Sequence, residues 1–150
     1  MDSKELTLEK MSMTITEEIF VKASPEATFA AVLQQLGPLN ELQEGAPLPM
    51  KFEAWPGGRW FRDLGDENGH CWGHVQAIKR PTLLEIYGPL MMSYPATSNI
   101  QYRLSAVEGG TLIKFHHKAF GWIQEDHKEG FAKIWGHWLP LLKAQAEGNP

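Results

Sequence analysis

The stretch 124–146, with HKEGFAKIWGHWLPLLK at its heart, constrains this chain more than any other. His127, Phe131, Ile134, Trp135, Trp138 and Leu142 recur at steps of three and four, which gathers them on one side of an α-helix. Glu125, Asp126 and Glu129 stand near its start and Lys143 near its end, an arrangement that complements the helix dipole. An aromatic stripe of this weight needs a surface to cover. It is either an ordinary core face or a lid bordering an internal cavity. Within the stretch, Pro140 has no amide proton and is expected to kink or loosen the helix near Gly136, while Gly130 and Gly136 lower helix propensity.

What precedes the stretch has to supply the covered surface. Residues 14–23, TITEEIFVKA, alternate as a first strand with Ile15, Ile19 and Val21 toward the core. Ser24, Pro25 and Glu26 then provide a hydroxyl cap, a proline where no amide is needed and an acid at the positive end of a helix. Its face is Phe29, Val32, Leu33 and Leu36, and Gly37 with Pro38 ends it. Residues 37–49 read as an irregular connection. From residue 50 the period changes to two, with strands expected over 50–55, 59–64, 70–79, 83–88, 98–107 and 111–120, divided by Gly, Pro, Asp and Asn turn signals. Ile100, Tyr102, Leu104 and Ala106 alternate against Asn99, Gln101, Arg103 and Ser105, and Lys114 and Lys118 facing water place Ile113, Phe115 and His117 inside.

This order predicts an α+β helix-grip fold: a curved antiparallel sheet of about seven strands wrapped around a long C-terminal helix, with a short helical segment after strand 1. A single domain is expected over 14–150, behind a polar, flexible tail over 1–13 in which Met11 or Met13 could serve as the natural start. A net charge of -4 and the lack of any basic run speak against a nucleic-acid partner. No run of residues is apolar enough for a membrane span, and a signal-peptide pattern is missing from the first residues. Cys71 has no second cysteine to pair with, so the expected location is the cytoplasm.

At this point the residues resemble a known family. Ser24-Pro25-Glu26, Pro56-Gly57-Gly58-Arg59-Trp60, Gly73-His74-Val75 followed by Pro81 and Leu83, Gly109-Gly110-Thr111-Leu112, His116-His117 before Phe120-Gly121, and His127 with Gly130 occur in an order similar to the START and Bet v 1-like superfamily, also called SRPBCC. Within it the chain resembles the branch of the activator of the heat-shock-protein-90 ATPase. The resemblance spans 14–146. It implies the helix-grip fold and leaves the activity open, because that superfamily holds lipid carriers, hormone receptors and polyketide cyclases. Two features depart from the branch: segment 37–49 lacks an aromatic pair, and the HWLPLL ending is more aromatic than usual.

No arrangement of residues demands catalysis. His70 and His74 share one face of a regular strand with Cys71 on the other, but a zinc site wants three or four ligands. His116 and His117 point to opposite faces, and His127 and His137 stand too far apart to chelate one ion. Gly57 and Gly58 suit a tight strand-to-strand bend rather than a phosphate loop. Arg59 and Arg62 are candidates for anchoring an acidic head group, against the plainer reading of exposed cations. The remaining inward set is Trp60, His74, Ile100, Tyr102, Leu104, Phe115 and His117 from the sheet, facing Phe131, Trp135, Trp138 and Leu142 from the helix. Such lining suits a small hydrophobic molecule bound without metal or cofactor by a monomer or homodimer, if the side chains do not simply interdigitate. The alternatives are a cyclase- or hydrolase-like enzyme using His74 or His117 with Tyr102 as acid and base, and a co-chaperone-like interaction module.

Overall fold

Among the described residues seven antiparallel strands form one sheet in the order β1-β7-β6-β5-β4-β3-β2, with β1 and β2 at its edges. In this computed structural model, which describes residues 6–148, the strands are β1 (Ser12–Val21), β2 (Lys51–Phe52), β3 (Arg59–Gly65), β4 (Asn68–Lys79), β5 (Leu83–Gly88), β6 (Ala96–Val107) and β7 (Gly110–Gly121). Helix α1 (Pro25–Leu36) follows β1, and helix α2 (Glu125–Ala146) closes the chain. Residues 1–5 of the expected tail lie outside the described residues, and β1 begins at Ser12 with Met13 buried.

Local chemistry accounts for the element ends. Ser24 caps α1 by accepting a bond from the Ala27 amide at 3.1 Å, with Pro25 in the first turn. The Gly37 amide closes the helix on the Leu33 and Gln34 carbonyls. The β3–β4 hairpin turns through Asp66 and Glu67, both in the left-handed region, a geometry that matches the twist of the strands. At Gly57 φ is +83°, and a Cβ on Gly58 would stand 1.8 Å from the Glu53 carbonyl oxygen, so this bend needs both glycines.

The concave face carries the core. Ile100, Tyr102 and Leu104 of β6 and Ile113, Phe115 and His117 of β7 are buried there, while Lys114 and Lys118 are exposed on the other face. Ala106, expected inside, is exposed near the end of its hairpin. The strand expected over 50–55 pairs only at Lys51 and Phe52. A bulge also changes the expected parity of β4. Trp60 faces Gly73 and Phe61 faces Cys71, so Trp72 is an extra residue opposite the Trp60–Phe61 step. Trp72 and Val75 are therefore both buried although an odd step separates them. His70 and His74 do not share a face: His70 Nδ1 accepts a bond from Trp72 Nε1 at 3.2 Å, while His74 stacks on the exposed ring of Tyr87 at 5.7 Å.

Helix α2 lies in the concavity and is assigned as one continuous α-helix through Pro140. Phe131, Ile134, Trp135, Trp138, Leu139 and Leu142 are its buried face, and Gly136 and Pro140 lie on an exposed flank. No helix among the described residues is long and apolar enough to cross a membrane.

Candidate functional site

The space beneath the middle of α2 is occupied by its own aromatic rings. Trp135 packs on Phe115 at 4.5 Å and on Trp138 at 5.1 Å, and Trp138 meets Trp60 at 6.4 Å and Trp72 at 6.3 Å between ring centres. Tyr102 stands edge-on to Phe115 at 5.1 Å, and Phe131 edge-on to His117 at 4.8 Å. Ile100, Leu104 and Leu142 are buried in the same hydrophobic cluster. Every indole nitrogen in this cluster has a partner. Trp60 Nε1 donates to the Leu36 carbonyl at 2.7 Å, Trp138 Nε1 to the Glu41 carbonyl at 2.7 Å, Trp135 Nε1 to His117 Nδ1 at 2.9 Å, and Trp72 Nε1 to His70 as described. Of the residues expected to line a cavity, all but His74 are thus packed on one another, and His74 is on the convex face.

His117 shows what that packing does to a titratable group. Its Nδ1 accepts from Trp135, which requires the proton of the neutral ring to sit on Nε2, where it donates to Ser98 Oγ at 2.8 Å. Burial, with a smaller push from the charge of His116, holds its pKa down at about 3. Burial alone pushes the Tyr102 phenol up, and its hydroxyl has no hydrogen-bond partner among the described residues. A ring with both nitrogens engaged and a phenol that resists ionisation are poor acid and base partners, so this pair gives the enzyme reading no support. The two arginines considered as anchors are also engaged. Arg59 lies over Phe61 and forms a two-pronged pair with Glu53 at 2.8 and 2.7 Å, which lowers the Glu53 carboxyl to about 2, and Arg62 donates to the Pro49 carbonyl at 2.7 Å. Among the described residues no group of three or more His, Cys, Asp or Glu is placed to hold a metal ion.

Open space lies instead at the flank of the helix. A groove of about 500 Å³ runs between β1 and α2, with Ile15, Glu17 and Ile19 on the strand side and Ala132, Trp135, Gly136, Leu139, Pro140 and Lys143 on the helix side. Register explains the strand side. Ile15, Glu17 and Ile19 stand opposite His117, Phe115 and Ile113, all buried on the concave face, so these β1 side chains share that face. The edge position of β1 leaves them without a further strand, and the small residues of α2 hold the helix surface back from them. A smaller apolar pocket of about 180 Å³ lies near the start of α2 between Met91, Met92, His127, Gly130, Phe131 and Ile134. There Tyr94 ties the β5–β6 loop to the helix through a 2.5 Å bond to His127 Nδ1.

The sequence held two signals for the groove. Glu17 interrupts the apolar positions of β1, and Ala132, Gly136 and Pro140 repeat at steps of four beside the aromatic stripe. Only Trp135 of the expected ligand-contacting residues lines it.

No family model matches the chain and no curated protein matches it. Solved structures do. Protein MLL2253 from Mesorhizobium loti superposes with a TM-score of 0.70 at 18% identity, over 91% of this chain and 98% of that one. The protein Ara h 8.0201 superposes with a TM-score of 0.66 at 16% identity, over 92% and 99% of the two chains. The Aha1 dimer from Colwellia psychrerythraea gives 0.64 at 18% identity, over 91% and 98%. The architecture is the helix-grip fold, which this chain shares with these structures.

Proposed function

We propose that this protein binds a small hydrophobic molecule between the sheet and the C-terminal helix, in the groove beside β1. The observation that carries this reading is the groove itself: about 500 Å³ on the concave face, walled by Ile15, Ile19, Ala132, Trp135, Leu139 and Pro140. That size lies within the range of small-molecule sites, and an apolar wall with few polar groups is their usual composition. The aromatic cluster beneath is the rigid floor against which a ligand rests, since its rings pack on one another and have no need of a guest.

Gly136 makes the reading testable. A Cβ at this position meets nothing within 4 Å, so a side chain there projects into free space. Gly136→Phe is expected to fill the groove while leaving the fold intact, as checked by circular dichroism. A lipophilic fluorescent probe such as N-phenyl-1-naphthylamine should bind the parent protein and lose at least tenfold in affinity in the variant. Unchanged probe binding in a folded Gly136→Phe protein would remove the groove as the site.

A further inference from the structure

The groove has a chemical polarity that its apolar walls conceal. Glu17 places a carboxylate between Ile15 and Ile19, and it has neither a hydrogen bond nor an ion pair among the described residues. On the opposite wall, Pro140 stands four residues after Gly136. An α-helix satisfies the carbonyl of residue i with the amide of residue i+4, and proline has no amide proton, so the Gly136 carbonyl is left without its regular donor. Both Gly136 and Pro140 line the groove. Lys143, the cation at its margin, already donates to the Phe20 carbonyl at 2.7 Å and to Glu147 at 2.9 Å, with the Phe20 ring 5.8 Å away. Two hydrogen-bond acceptors, one of them charged, thus share an apolar groove whose one cation is committed elsewhere.

Resting on the groove reading above, we infer that the ligand class is an apolar molecule with a primary amine, its ammonium group donating to the Glu17 carboxylate and the Gly136 carbonyl. An ammonium has three protons to donate and no lone pair to place, which fits a pair of acceptors. A fatty carboxylate of the same length offers a second negative charge to Glu17 and no donor to the carbonyl. Glu17 is exposed, so solvent screens its charge and the preference it creates is modest.

The test uses decylamine, 1-decanol and decanoate below their aggregation concentrations, titrated into the full chain at pH 7. Affinity is read by calorimetry and location by the amide shift of Gly136. Decylamine should bind about fivefold tighter than 1-decanol, equivalent to about 1 kcal/mol, with decanoate weakest. Glu17→Gln should bring decylamine down to the level of 1-decanol, and Glu17→Lys should place decanoate first. Pro140→Ala restores an amide to the Gly136 carbonyl and should also reduce decylamine affinity, about twofold to fivefold, while favouring the helix. Equal affinities for the three probes, or an amine preference that survives Glu17→Gln, would overturn the inference while leaving the groove as a binding site. If none of the probes shifts Gly136, the groove reading and this inference fail together.

Discussion

Neutral His117 is built into the core through both ring nitrogens, so its titration reports on the integrity of the aromatic floor. The unfolded chain takes up the imidazole proton near 6.5 and the folded chain only near 3, which means the unfolded state binds more protons between those values. Stability is therefore complete above about pH 6.5 and falls as the pH drops toward 3, at up to about 1.4 kcal/mol per pH unit. His116, less deeply set, is shifted down mainly by the same desolvation and contributes with the same sign. Glu53, Asp63, Glu85 and Glu147 are shifted down by hydrogen bonds, and the stability that they supply is lost only as the pH falls below the ordinary carboxylate values. The window from pH 6.5 to about 5.5 thus reports mainly on these two imidazoles. In urea titrations across it, His117→Gln should be less stable at pH 7 and show a shallower loss than the parent. A parent curve flat over this window would contradict the account. The sequence placed His117 inside by alternation against Lys114 and Lys118, but its partners come from β6 and α2 and have no local signature.

At the scale of the element, α2 has two faces with opposite tolerances. Trp138 is 1% exposed and wedged against Trp60, Trp72 and Trp135, and Trp138→Ala should cost about 3–5 kcal/mol by opening a cavity and stranding the Glu41 carbonyl. Gly136 faces the groove, and Gly136→Ala should raise stability by about 0.5–1 kcal/mol, since the new methyl meets nothing and helix propensity improves. Denaturant midpoints of the two variants test the contrast directly, and a destabilised Gly136→Ala would mean that the flank is more crowded than the structure shows. The length of this helix and its buried stripe were legible because its apolar period and the charges of its end turns are local. The parity of β4 was not, because the bulge at Trp72 follows from how β3 pairs with β4 rather than from the residues of β4 alone.

The whole molecule is organised around one hydrophobic cluster that draws on β1, α1, five of the remaining strands and α2, with the connecting segments 37–50 and 89–95 adding Met50, Leu90 and Met92. Among the described residues no second hydrophobic cluster stands apart from this one. Tryptophan emission and far-ultraviolet circular dichroism should accordingly follow a single coincident transition in denaturant, and separated midpoints would show that part of the sheet unfolds independently. Alone, the sequence determined the kinds of element and their order: Ser24-Pro25 opens α1, the alternation in β6 and β7 assigns their faces, and the aromatic stripe demands a concave surface to cover. These follow from period, capping and turn chemistry, which act over a few residues. The tertiary structure decided where space remains. Trp60, Trp72, Trp135 and Trp138 meet from three separate elements and close the middle of the grip, while the open groove arises because β1 is an edge and faces the small residues of α2. Whether two apolar surfaces meet or stand apart depends on the volumes of side chains brought together from distant parts of the chain, and that information exists only once the sheet has curved around the helix.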